Sequence, residues 1–297
     1  MVKQKLQYRI AGLVLEISLP ESLQSTGLLP SFEPFHVDEP AAVPVCVVEV
    51  TGDPLFFEEK DAKLLSDVSA VWTERFRFYE RGDCYLTSIT TATEARVFFM
   101  KSSKDFSSSV VYMPLDEQQA GNVLSWLIMV AFGQVCLKYE AILIHASVVE
   151  YGGEGVAFLG KSGTGKSTHS RLWLEHIEGA TLLNDDNPAV RIEADGWTYI
   201  YGTPWSGKTP CYKNRKVKLN GFVRLKQAPF NQFSVKHGME ALVCVLPSCT
   251  AIRWNKPLFT RMTDTVEKLV QALRVAELEC LPNEAAVALC HHGIYNS

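Results

Sequence analysis

Three things are scarce in this 297-residue sequence: an excess of charge of one sign, a long apolar run, and a cysteine pattern that could staple a small fold. The formal net charge is -4, which gives no electrostatic case for a nucleic-acid or anionic-membrane partner. The longest uncharged stretch, residues 118–137, is interrupted by Gln118, Gln119, Asn122, Ser125 and Gln134. Its apolar heart is only about 11 residues, short of the ~20 that a membrane span needs, so it reads as a buried helix. Eight cysteines in a chain of this size do not suggest a disulfide scaffold. Cys280, Cys290, His291 and His292 match no zinc-binding spacing. Residues 1–20 alternate polar and apolar positions where a secretory signal would have a basic start and an apolar run, so the cytosol is the expected compartment. Internal repeats, low-complexity tracts and an LSGGQ-like segment are all missing, and the last of these argues against an ABC-type ATPase.

What is present is apolar residue in quantity: 47% of the chain, enough for a sizeable core. The first third reads as β-structure. Leu13, Leu15, Ile17 and Leu19 have the two-residue period of a half-buried strand, residues 45–50 form a second, and residues 96–100 and 109–113 form a hairpin. A long helix is expected over residues 116–139, with Pro114 just ahead of it. Beyond it the pattern changes. Strands are expected at residues 141–149, 155–159, 181–183 and 221–225, and helices at 166 to about 177, 240–246 and 263–276. The division is therefore a β-rich part (1–115), a connecting buried helix (116–139) and an α/β part (140–297).

The chemistry concentrates at Gly160-Lys161-Ser162-Gly163-Thr164-Gly165-Lys166-Ser167, which has the G-x-x-x-x-G-K-[ST] pattern of a P-loop. Glycines let successive backbone N–H groups turn toward phosphate oxygens, and the following helix adds its positive end. Lys166 brings a point charge to the β- and γ-phosphates, Ser167 offers a hydroxyl to Mg²⁺, and Thr168 extends the cradle. An apolar strand before the loop and a helix after it are the context the motif requires, where a chance glycine-rich turn would have neither. Asp185 and Asp186 end the next strand, where open α/β sheets bind ligands, and they could divide metal binding and proton abstraction between them. The plainer reading of such a pair is a solvated turn. His145, flanked by Leu143, Ile144 and Val148, reads first as a core histidine. Lys208, Lys213, Arg215, Lys216 and Lys218 read as a solvated face, or as a clamp on phosphate or an anionic substrate, with Lys208 and Arg215 the candidate contacts.

Taken together, His145, the 160–167 loop with Ser162-Gly163 inside it, and Asp185-Asp186 resemble the C-terminal domain of HPr kinase/phosphorylase, of the phosphoenolpyruvate carboxykinase-like superfamily. Asp185 follows Lys166 by 19 residues, and Gly202-Thr203-Pro204-Trp205 is similar to a signature of HPr-kinase-like proteins. The resemblance spans residues 140–297. It implies an α/β P-loop domain of HPr-kinase-like fold using ATP and Mg²⁺, and it does not extend to the β-rich N-terminal part at residues 1–115, which has no match to the N-terminal domain of true HPr kinases. It implies that Lys166 and Ser167 bind phosphate and metal, that Asp185 is the catalytic base, that Asp186 assists at the metal, and that His145 sits beside them. Where true HPr kinases carry a glutamate and an arginine, this chain reads Ile200-Tyr201-Gly202-Thr203-Pro204, so recognition of HPr and phosphorylase activity are not implied.

The leading expectation is a kinase acting on a serine-like hydroxyl of a peptide, protein or small molecule. A carboxykinase-like or simple NTPase activity is the rival within enzymes. A nucleotide-sensing or peptide-carrier module, which would need the loop but no base, is the rival outside them. The expected partners are a nucleoside triphosphate and a hydroxyl-bearing acceptor, and a homo-oligomer stays open.

Overall fold

The computed structural model describes residues 3–23, 25–38, 42–71, 74–91, 97–114, 120–207, 209–250 and 252–295. The chain forms two compact units. One is Met1–Val135 with Ile252–Lys256, and the other is Cys136–Ala251 with Pro257–Ser297.

The first unit is built on nine strands: β1 (Lys3–Ile10), β2 (Leu13–Pro20), β3 (His36–Val37), β4 (Cys46–Thr51), β5 (Lys63–Val71), β6 (Glu74–Arg81), β7 (Cys84–Thr90), β8 (Val97–Ser103) and β9 (Ser108–Tyr112). A short helix, α1 (Ser25–Leu28), follows β2. The strands form one sheet in the order β3-β1-β2-β4-β9-β8-β7-β6-β5. Leu15, Ile17 and Leu19 of β2 are fully enclosed, but Val14 and Ser18 on the other face are buried too, so the half-buried strand expected from the alternation is in fact covered on both faces. The expected hairpin is β8–β9, paired Ser102↔Ser109 through Phe99↔Tyr112, and its predicted first residue, Arg96, lies outside the described residues. The returning segment contributes Trp254, whose ring lies 4.7 Å from that of Tyr85.

The long helix is α2 (Ala120–Cys136), continued by a 3₁₀ turn at Leu137–Tyr139, and its expected start at residues 116–119 lies outside the described residues. Ala120–Tyr139 is long and apolar enough by composition to cross a membrane, which corrects the shorter sequence estimate, but most of it is buried inside the protein. Val123, Leu124, Leu127, Ile128, Ala131, Phe132 and Val135 are all enclosed, so the helix is apolar around most of its circumference.

The second unit carries β10 (Ala141–Leu143), β11 (Ala146–Tyr151), β12 (Glu154–Leu159), α3 (Lys166–His176), β13 (Thr181–Asp186), β14 (Ala189–Ile192), β15 (Thr198–Tyr201), β16 (Lys216–Gln227), β17 (Gln232–Lys236), α4 (Gly238–Val245), α5 (Lys256–Ala272), β18 (Arg274–Cys280) and α6 (Glu284–Tyr295). The sheet runs β10-β14-β15-β16-β12-β11-β13, with β18 pairing β16 and β17 pairing β18. β13 at one end of this path continues into β14 near the other through only Asn187 and Pro188, so the sheet curls on itself. Val156, Phe158 and Val223 pack with Trp173 of α3 and with Val287, Cys290 and Ile294 of α6 in one core.

Other expectations for the second unit needed correction. Residues 141–149 are two strands, because the backbone at Ile144 and His145 leaves the sheet to bond elsewhere: Ile144 bridges Cys249, and His145 N–H donates to Ser248 O at 2.7 Å. The sheet around the loop is mixed, since β12–β16 and β16–β18 are parallel while β11 runs antiparallel to both β12 and β13. The helix expected at 263–276 begins at Lys256 and stops at Ala272, and its expected end belongs to β18.

Candidate functional site

β12 is enclosed from Gly155 to Leu159 and delivers the chain into the glycine-rich loop at the carboxyl end of the strand. Gly160 opens the loop at φ +154°, and a Cβ there would lie 2.4 Å from Thr164 Oγ1. Only glycine fits that approach. Thr164 Oγ1 donates to Lys161 O at 2.7 Å, which closes the loop on itself. Gly165, at φ +99°, precedes α3 with no side chain capping the first turn, so the helix's leading N–H groups are left for another partner. α3 then buries Lys166, His169, Ser170 and Trp173, a spacing that turns one face to the sheet.

The Lys166 ammonium folds back over the loop, 3.0 Å from Gly160 O and 3.4 Å from Lys161 O. Burial pulls its pKa below the ordinary lysine value, and the nearby carboxylates of Asp186 and Asp185 oppose that shift. The cation therefore sits among carbonyls and acids, the setting of a group poised for anionic oxygens.

β13 runs three residues further than the sequence suggested, so Asp185 and Asp186 are its last two residues. Its register against β11 sets Asp185 opposite Ser147 and Asp186 opposite Ala146. Ser147 is in turn tied to α3 through a 2.7 Å bond between its hydroxyl and that of Ser170. The two acids then part. Ser167 Oγ donates to Asp185 Oδ1 at 2.9 Å, and His145 Nε2 lies 3.3 Å from Asp186 Oδ1. The resemblance set His145 beside the pair; the structure brings it against Asp186 in particular. The break in the strand at residues 144–145 releases the half-buried imidazole from the apolar sheet.

Burial, and then the Lys166 charge, push the His145 pKa down to about 4 against the pull of Asp185. Burial raises Asp186 to about 6, with Asp185 adding to the rise and Lys166 and Asn187 resisting it. At neutral pH the contact is thus a neutral imidazole against an ionised carboxylate.

Residues 203–207 strap the acid pair in place, a feature the sequence reading did not find. Asn184, fully enclosed, donates to Thr203 O at 3.3 Å and to Trp205 O at 3.4 Å. Thr203 Oγ1 donates to Asn187 O at 2.7 Å, and Gly207 N–H donates to Asp185 O at 2.6 Å. A Cβ on Gly207 would stand 2.9 Å from that same Asp185 oxygen. Such a buried network fixes its members in a single geometry. The signal was there in Gly202-Thr203-Pro204-Trp205, but its hydrogen-bond partners lie about twenty residues away in sequence.

The basic loop is engaged locally. Lys213 Nζ donates to Leu182 O at 2.5 Å, Arg215 pairs with Glu150, Lys216 Nζ lies 2.7 Å from Glu193, and Lys218 Nζ lies 3.5 Å from the centre of the Trp197 ring. Lys208 lies outside the described residues. Near the C-terminus, Cys290 is enclosed in the core and His291 packs among Tyr151, Trp173 and Tyr295.

No family model matches the chain, and no curated protein matches it. Among solved structures, the chain is similar to the HPr(Ser) kinase/phosphatase from Coxiella burnetii with a TM-score of 0.31 and 10% sequence identity, covering 51% of this chain and 89% of that one.

Proposed function

We propose that residues 160–168 bind the phosphates of a nucleoside triphosphate as a P-loop, and that the chain transfers the terminal phosphoryl group to a serine-like hydroxyl. On this reading the second unit is HPr-kinase-like in its site. The observation that carries it is the convergence of Lys166, Ser167 and Asp185 in one place, with Ser167 Oγ 2.9 Å from Asp185 Oδ1. A P-loop hydroxyl and a strand-end aspartate are the side-chain pair that such sites use to hold Mg²⁺.

The donors fit that ion. Both are hard oxygens, and Mg²⁺ takes one or two carboxylates together with phosphate oxygens. A cage of three or more His, Cys, Asp or Glu side chains is not found among the described residues, and this mode of binding does not require one. When bound, Mg²⁺ would neutralise charge on the β- and γ-phosphate oxygens.

The geometry favours an exchange of the two roles that the resemblance implied. Asp185, against Ser167, suits the metal. Asp186, whose Oδ1 has His145 Nε2 at 3.3 Å and whose burial makes it less acidic than an ordinary carboxylate, suits the base. Asp186 takes the proton of the acceptor hydroxyl while that hydroxyl's oxygen forms the new bond to the γ-phosphorus. The bond from that phosphorus to the β-bridging oxygen breaks, and the nucleoside diphosphate leaves. Lys166 exchanges the loop carbonyls for phosphate oxygens, and His145 orients the Asp186 carboxylate.

The test is incubation with γ-labelled ATP, Mg²⁺ and a lysate of the source cell. A labelled acceptor that disappears with Asp186→Asn supports the reading. Tight ATP binding with no label above background would overturn transfer and leave a nucleotide-sensing module.

A further inference from the structure

The acid pair lies to one side of the loop, on the flank of β12 occupied by β11 and β13. On the other flank, toward β16 and β18, the same loop borders a cavity of about 410 Å³. It is open to solvent, with Lys161, Ser162, Gly163, Lys226 and Gln227 of its lining exposed. Its walls are loop residues 161–164, the end of β16 at Arg224, Leu225, Lys226 and Gln227, and Glu277 of β18. β12, β16 and β18 are parallel, so this is a carboxyl-end crevice, where α/β sheets receive ligands. A triphosphate lying on the loop with its terminal phosphorus at Asp186 therefore points its other end toward the cavity.

The lining says what that end can be. Gln227 Nε2 is anchored on Gly163 O at 3.3 Å, the Arg224 guanidinium on Cys244 O at 2.9 Å, and Lys226 on Glu279 at 2.7 Å. Glu277, the register partner of Arg224, is the one carboxylate in the wall, with Lys236 Nζ at 3.5 Å steadying it. Leu225 is the wall's one large apolar side chain, and the lining contains no aromatic ring. A purine would have no aromatic ring to stack on, whereas a carboxylate beside a carboxyl-end crevice is a fitting acceptor for sugar hydroxyls.

We infer that this cavity is the nucleoside subsite, that Glu277 accepts hydrogen bonds from the ribose hydroxyls, and that the base is read weakly. The inference rests on the phosphate-binding reading of the loop.

The test is isothermal titration of the full chain with the Mg²⁺ complexes of ATP, GTP, 2′,3′-dideoxy-ATP and inorganic tripolyphosphate. ATP and GTP should bind within about threefold of each other and dideoxy-ATP about tenfold more weakly, the size of one charge-assisted hydrogen bond. Glu277→Gln should bring ATP down to the dideoxy level and leave tripolyphosphate unchanged. Equal affinities for ATP and dideoxy-ATP in the native protein overturn the ribose assignment without any variant. Tripolyphosphate binding as tightly as ATP overturns the subsite while the loop reading stands. Equal weakening of tripolyphosphate by Glu277→Gln also overturns it, since Glu277 would then act on the phosphates. Failure of both ATP and tripolyphosphate to bind removes the loop reading itself.

Discussion

Ser167 Oγ donates to Asp185 Oδ1 across 2.9 Å and joins the first turn of α3 to the end of β13. Its neighbour Asp186 turns to His145. Two adjacent acids thus have different partners, and different partners give separable roles.

Asp185→Asn and Asp186→Asn are therefore expected to differ. Asp185→Asn should weaken binding of ATP in the presence of Mg²⁺ while ATP alone binds as before. Asp186→Asn should keep Mg²⁺-dependent binding and lose about 10²–10⁴ in transfer rate, the range for loss of a general base. Titrations at varied Mg²⁺ with single-turnover transfer assays separate the two. The reverse pattern would restore the order implied by the resemblance.

His145 side chain is 39% exposed, and its contact is with Asp186. His145→Ala should leave the melting temperature within a degree or two and depress turnover. A core histidine would behave oppositely, losing ~1–3 kcal/mol of stability from a buried partner left unpaired. Thermal denaturation alongside turnover per folded molecule distinguishes them.

His169 gives the protein an acid-sensitive limb. It is buried, it accepts a hydrogen bond at its Nε2 from Trp173 Nε1–H at 3.2 Å, and burial lowers its pKa to about 4. Between that value and the ordinary 6.5, the unfolded chain binds the proton and the folded one does not, so stability falls as pH drops from 6.5 toward 4. The full effect is about 3 kcal/mol. His145 acts in the same sense, but Asp186, raised to about 6, acts against it over much of that range. His169→Gln should melt lower at pH 7 and show a shallower loss of melting temperature down to pH 4. Parallel curves for the two proteins would contradict this.

Much of the candidate site was legible because the chemistry proposed for it demands particular residue types. A loop that must turn N–H groups inward needs glycines, and Gly160 cannot carry a Cβ in the space it occupies. Asp185 and Asp186 were legible as the end of a strand. Which acid does what was not, because that depends on the register of β13 against β11 and on the break at Ile144–His145. The break is set by bonds to Ser248, Cys249 and Thr250, about a hundred residues on. In residues 141–149 the apolar run hid it. The strap at 203–207 was missed for the same reason, since Thr203 and Gly207 have their meaning only against Asn187 and Asp185. β18 was missed because Val275, Ala276 and Leu278 followed a helix whose apolar spacing carried the expected helix too far.

The central claim is that Lys166 and its loop hold a triphosphate, and Lys166→Ala tests it most directly. Lys166 is 9% exposed and supplies the one cation bonded to the loop's own carbonyls among the described residues. The measurement is thermal shift against rising Mg·ATP, with the fold of the variant checked by its unliganded melting curve. The native protein should rise by an amount that grows with the logarithm of ligand concentration, and Lys166→Ala should show no rise over the same range. A rise in the variant equal to the native one would contradict the assignment of the loop.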